Sequence, residues 1–153
     1  MKKLLLVLVA VLGISFAANA QNAIGVRLGG GQGYGAELSF QKGLGGVNRL
    51  EADLGYYGYY GVASFGLSAL YQIHQDIAAV PNLGWYAGVG ARSNVTTYYG
   101  TSVSLGVLAQ AGVDYYFDAL PVQLSLDIRP CLYVYPAVSF AWGDIALGIR
   151  YTF

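Results

Sequence analysis

Every charge inside an alternating segment of this chain lies in one phase of the alternation, and the other phase carries none. Eight stretches follow period two, the mark of a strand with unlike surroundings on its two faces. They are 23–29, 33–41, 48–57, 62–74, 83–92, 101–116, 122–132 and 144–153. Arg27, Glu37, Arg49, Glu51, Asp53, Arg92, Asp114, Asp127, Arg129 and Arg150 all fall in the polar phase. Lys42, Asp76, Asp118 and Asp144 are assigned to turns or strand ends. A charge on a lipid-facing strand surface at mid-membrane costs about 2–4 kcal/mol, so lipid would impose this exclusion. A soluble sandwich or barrel would also keep charge off its core face, but its outer surface would be rich in Lys and Glu. Here Lys42 is the only lysine beyond residue 20, and arginines and carboxylates are matched five to five. Such a set suits a confined interior, where hydrogen-bonded pairing offsets desolvation.

The first twenty residues read as a separate object. Lys2 and Lys3 precede an apolar run, Leu4 to Ala17, and Ala18-Asn19-Ala20 has the A-x-A form of a signal peptidase site. The expectation is a secretory signal peptide over 1–20, cleaved after Ala20, and one domain over 21–153. Without Lys2 and Lys3 the chain has six basic and eight acidic residues, a net charge of about −2. No basic patch is present to take nucleic acid. No window of about 18 apolar residues occurs beyond the leader, so no membrane helix is expected. Cys131 is single and forms no internal disulfide; packing as a small apolar group suits it better than reactivity. The 22 glycines and 14 tyrosines fit a tightly curved barrel with aromatic residues at its rims. With the N-terminus at the inner side, Tyr34, Tyr56, Tyr59, Tyr60, Tyr98 and Tyr99 fall at the outer rim. Phe40, Tyr71, Trp85, Tyr115 and Phe153 then fall at the inner one.

The last segment sets Ile145, Leu147, Ile149, Tyr151 and Phe153 on one face and stops on an aromatic residue in strand phase. This ending resembles the C-terminal signature of bacterial outer-membrane β-barrels. The whole of 23–153 resembles the small eight-stranded barrels of the OmpA/OmpX type. The stretch Asp114-Tyr-Tyr-Phe-Asp-Ala-Leu-Pro-Val-Gln-Leu-Ser-Leu-Asp-Ile-Arg-Pro130 and the terminal Gly148-Ile-Arg-Tyr-Thr-Phe153 are similar to an outer-membrane barrel domain of the Bacteroides group of bacteria. The resemblance implies an all-β, antiparallel, up-and-down, eight-stranded transmembrane barrel in the outer membrane. It also implies that Tyr151 and Phe153 form the assembly signal, with membrane lipid and the barrel assembly machinery as partners and a monomer as the working state.

An eight-stranded barrel is just wide enough for side chains to fill it. The ten inward charges are therefore expected to form a polar network that largely plugs the interior, with the glycines of the fifth segment (Gly84, Gly88, Gly90) leaving some room. The leading functional expectation is a non-enzymatic integral outer-membrane protein with a structural or surface-interaction role and no cofactor. A narrow pore is the alternative. A lipid A-modifying enzyme ranks below both, because His74 is the single histidine and is placed at the inner end, away from any outer-rim serine and acid. One His and one Cys cannot supply a metal site alone. Gly29-Gly30-Gly31-Gln32-Gly33 follows a strand but opens no helix, which discounts a phosphate loop. A secreted lipocalin-like barrel would need the two faces inverted. Short connections disfavour adhesion, and Pro130 and Pro136 are expected to end the seventh strand.

Overall fold

The computed structural model describes residues 22–29 and 34–153; the expected signal peptide and its cleavage site lie outside the described residues. Eight antiparallel strands follow one another around a closed barrel. They are β1 (Asn22–Gly29), β2 (Tyr34–Gly45), β3 (Asn48–Tyr59), β4 (Val62–Asp76), β5 (Leu83–Thr97), β6 (Thr101–Tyr116), β7 (Val122–Tyr135) and β8 (Ser139–Thr152). Closure comes from β1 and β8, which pair from Ala23↔Thr152 to Gly29↔Ala146. The ladder is finished by Asn22 and Phe153, whose backbone N–H groups donate to each other's carbonyls at 3.1 and 2.9 Å. A closed ladder leaves no strand edge, so every strand finds partners on both sides.

The wall is inside out relative to a soluble protein. Leu38, Leu54, Phe65, Leu67, Val89, Val107, Leu126, Ile145 and Leu147 stand exposed on the outer surface. Arginines, carboxylates, glutamines and serines fill the centre. The alternation dictates this: successive Cβ atoms point to opposite faces, and once the sheet closes one face becomes the lumen. Exposed aromatic side chains gather at both ends. Tyr71, Trp85, Tyr115, Phe117, Tyr151 and Phe153 lie toward the end where the termini meet. Tyr56, Tyr135, Phe140 and Trp142 lie toward the other. Several pack in pairs, including Tyr115–Phe117 at 5.1 Å and Phe140–Trp142 at 5.2 Å between ring centroids.

Several strands outrun their sequence pattern. β2 continues to Gly45, β5 to Thr97 and β7 to Tyr135, and β8 starts at Ser139. Ser93–Thr97 shows no clean alternation, yet it pairs with β4 on one side and β6 on the other. Backbone pairing continues wherever neighbours supply donors and acceptors, whatever the side chains. Lys42 is thus within β2, exposed on the outward row beside Leu50 and near the strand's end, where its long stem can carry the ammonium to a polar rim. Pro130 does not end β7. It sits at an irregularity between Arg129 and Cys131, where the missing N–H removes no regular ladder bond. The connections are correspondingly short: 60–61, 98–100 and 136–138 at one end, and 46–47, 77–82 and 117–121 at the other. At 60–61 both Tyr60 (φ 41°) and Gly61 (φ 82°) are left-handed, the backbone that a two-residue hairpin turn requires.

Candidate functional site

Among the described residues, chemistry-bearing side chains converge in the lumen. Register makes the first contacts. Arg27 lies opposite Glu37 on β2, and Nη1 donates to Glu37 Oε2 at 2.9 Å. Gln41 lies opposite Glu51, and Nε2 donates to Oε2 at 2.8 Å. Arg92 lies opposite Ser68, and Nε donates to Oγ at 3.0 Å.

Closure makes the rest. Arg129 reaches from β7 across the lumen to β2 and β3. Its Nη1 meets Asp53 Oδ2 at 2.6 Å and Glu37 Oε2 at 3.2 Å, and its Nη2 donates to Glu51 Oε1. Arg150 donates to Glu51 Oε1 at 3.0 Å, to Ser39 Oγ at 2.9 Å and to Ser125 Oγ at 2.6 Å. Arg27 also grips Asp127 through Nη2 and Nε, at 2.6 and 3.0 Å to Oδ1. Arg92 closes on Glu37 at 3.0 Å. The central group therefore sets four arginines (27, 92, 129, 150) against four carboxylates (37, 51, 53, 127). One oxygen in it, Asp53 Oδ1, has no hydrogen-bond partner among the described residues.

A second group lies nearer the end where the termini meet. Arg49 donates through Nε to Gln72 Oε1 at 2.6 Å and through Nη1 to Asp114 Oδ2 at 3.1 Å. Asp114 also accepts from Gln123 Nε2 at 2.8 Å and, through Oδ1, from His74 Nε2 at 2.9 Å. The Arg49 guanidinium sits 4.7 Å over the Tyr86 ring, a cation–π contact, while the Tyr86 hydroxyl donates to Asp127 at 3.0 Å and so joins the two groups.

All ten charged residues singled out in the sequence are in these two groups, and none is more than 6% exposed. A water-filled channel would leave such side chains wet, so these ten side chains pack the centre of the lumen against one another. The room expected at the β5 glycines is taken by side chains and neighbouring backbone. A Cβ on Gly84 would strike His74 Nε2 and lie 2.8 Å from Asp114 Oδ1, and one on Gly88 would meet Gln72 Cγ at 2.9 Å. Tyr151 and Phe153 lie outside the lumen, their rings stacked 6.2 Å apart beside the barrel's closing seam.

The sequence reading passed over three inward residues, Leu70, Tyr86 and Leu108, each about 1% exposed. Their phase was the available signal: Tyr86 stands between Gly84 and Gly88, and Leu70 between Ser68 and Gln72. Leu70 and Leu108 pack with buried Cys131, and Tyr133 lies against them, an apolar plug set into a polar lumen. No group of three His, Cys, Asp or Glu side chains that could hold a metal occurs among the described residues. His74 is engaged with Asp114, and its ring meets Tyr116 edge-on at 6.0 Å.

No protein-family model matches the chain, and neither does any curated protein. Solved structures do, two small β-barrels among them. The N-terminal β-barrel domain of Pseudomonas aeruginosa OprF aligns with a TM-score of 0.70 at 18% identity, over 88% of this chain and 100% of that one. Neisserial surface protein A (NspA) aligns with a TM-score of 0.64 at 17% identity, over 88% of this chain and 96% of that one. At such identities the likeness is one of architecture: this chain has the fold of the small eight-stranded outer-membrane β-barrels.

Proposed function

We propose that the protein is a non-enzymatic, integral outer-membrane barrel with a structural or surface-interaction role, its lumen closed by the charge network. The observation that carries this reading is the pairing of an apolar outer wall with a filled, charge-matched interior. Apolar side chains over the whole wall would be costly in water and are matched by a bilayer core. Arginines and carboxylates that bond to one another across the axis occupy the path a hydrated ion would need. The same reading takes 1–20 as a leader cleaved after Ala20, Tyr151 and Phe153 as the signal read by the barrel assembly machinery, and the working state as a monomer in lipid.

Two measurements test it. Gel mobility of unheated against boiled protein, with and without liposomes, should show a compact, heat-modifiable band only with lipid or detergent. Folding in plain buffer would overturn the membrane reading. Planar-bilayer recordings of the folded protein should stay silent; steady, ion-selective unit conductance would replace the closed-lumen role with that of a narrow pore.

A further inference from the structure

The two ends of the barrel differ in charge. Toward the termini lies the mouth beside Arg49 and His74, and the turns and strand ends there carry Lys42, Asp76 and Asp118. Among the described residues the other end carries no charge: 54–66, 93–105 and 130–143 contain no Asp, Glu, Lys or Arg. At that end β4 and β5 pair as far as Ala63↔Thr97, which sets the β3–β4 turn beside the β5–β6 turn. An open cleft of about 630 Å³ lies between the two turns, bounded by Tyr60, Gly61 and residues 97–101. Its aromatic walls are open to the surroundings: Tyr98 is 58% exposed, Tyr60 87% and Tyr99 98%.

Backbone geometry marks two of the same tyrosines. Tyr60 (φ 41°) and Tyr99 (φ 50°) are left-handed, a conformation that costs a bulky residue and favours Gly or Asn. Asn82, in a turn at the opposite end, meets the same demand (φ 63°) with a favoured residue type. Tyr60 and Tyr99 instead carry large rings at turn tips, beyond the last strand pairs Tyr59↔Val62 and Thr97↔Thr101. Tyr56 and Phe65, 5.2 Å apart on the outward row of β3 and β4, are placed as a lipid girdle is; the turn-tip rings are not.

The lining selects its ligand. Without a charged residue it offers nothing to an anion or a cation, and without an aliphatic side chain it offers little to an acyl tail or an apolar peptide. It offers tyrosine faces and hydroxyls. Thr97 Oγ1 donates to the Ala63 carbonyl at 3.2 Å and keeps its oxygen as an acceptor, and Thr101 stands exposed across the ladder from it. Ring faces that pack on C–H groups, edged by hydroxyls that donate and accept, match a pyranose, whose faces are C–H and whose rim is hydroxyl. Tyrosines make such contacts at low entropy cost.

We propose that this cleft binds a neutral saccharide chain, with Tyr60 and Tyr99 as stacking platforms and the Thr97 and Thr101 hydroxyls beside them. The inference deepens the surface-interaction role and rests on that reading for the side of the membrane the cleft meets.

The full chain is folded in dodecylphosphocholine micelles, which carry no sugar headgroup. Saturation-transfer difference NMR, with irradiation of the protein's aromatic protons, is recorded with maltohexaose, cellohexaose and mannohexaose, and with hexagalacturonate as the charged reference. The expected result is saturable transfer to at least one neutral sugar, at least about tenfold stronger than to hexagalacturonate. Tyr60→Gly combined with Tyr99→Gly removes both rings and suits the left-handed backbone, so it should abolish transfer without lowering the temperature at which the gel band shifts. Tyr99→Phe keeps the ring face and should keep transfer. No saturable transfer to any neutral sugar overturns the proposal, as does undiminished transfer in the glycine double variant or equal transfer to hexagalacturonate. Heat-modifiability is scored on every sample. A barrel that folds in micelles and binds no sugar fails this inference alone; one that folds only in plain buffer fails the membrane reading, and the same titration there still decides the cleft.

Discussion

The centre of the lumen and its mouth use the same residue types to opposite ends. At the centre, Arg129 spends its donors on Asp53, Glu37 and Glu51 and lies 3.5 Å from Asp127 through Nε. At the mouth, Arg49 has one carboxylate, shares it with His74 and Gln123, and keeps a nitrogen in reserve. The centre is self-satisfied, with one acceptor oxygen to spare; at the mouth Arg49 Nη2 and the acceptors Asn22 Oδ1 and Gln123 Oε1 are buried without partners among the described residues. The difference teaches that how fully a barrel arginine is hydrogen-bonded depends on how many carboxylates the closed sheet brings to it. Residue type and burial do not separate the two: Arg49 is buried nearly as deeply as Arg129.

The sharpest way to break the comparison is to remove the central arginine. Arg129→Met leaves Glu51, Asp53 and Glu37 crowded and short of positive charge, and should cost about 3–5 kcal/mol, read from the urea midpoint of reversible folding into liposomes. Adding Glu51→Gln should recover part of that loss, because the two side chains act as one unit. A loss below about 1 kcal/mol for the single variant would show that the network is not holding the barrel closed. Next in size is Leu54→Arg, which puts a charge on the outward row at the middle of β3 and should cost about 2–4 kcal/mol in the same assay. An equal effect in folding to detergent and to bilayers of differing thickness would argue against lipid at this face. Arg49→Gln should be the mildest, about 1–3 kcal/mol, since His74 and Gln123 stay on Asp114. If it equals Arg129→Met, the mouth is as structural as the centre and the distinction fails.

Much of this molecule was legible before any fold was considered, because period two is a one-dimensional signal. The placement of all ten charges on one face follows from counting residues, since neighbours in a strand must point oppositely. Pairs such as Arg27 with Glu37 lie in adjacent strands across a short turn, so hairpin register nearly delivers them. Strand ends were less legible: Ser93–Thr97 and Ser139–Gly143 carry no strict alternation and are strand only because their neighbours pair with them. Pro130 misled for the same reason, since a proline's cost depends on whether its missing N–H had a ladder partner.

The sequence by itself determined a closed-barrel pattern: eight alternating segments, one charge-bearing face, and equal numbers of arginines and carboxylates on it. Only the tertiary structure decided which arginine meets which carboxylate. Arg129 with Asp53 and Arg27 with Asp127 are 76 and 100 residues apart and lie on strands that do not pair. Their contacts exist because the sheet closes and brings facing walls within side-chain reach. Closure also decided that Gly84 would make room for the His74–Asp114 pair and that Tyr86 would bridge the two charge groups. It left Arg49 one donor short of a partner at an open mouth. A period read along the chain fixes which way a side chain points, and only the closed cylinder fixes what it finds there.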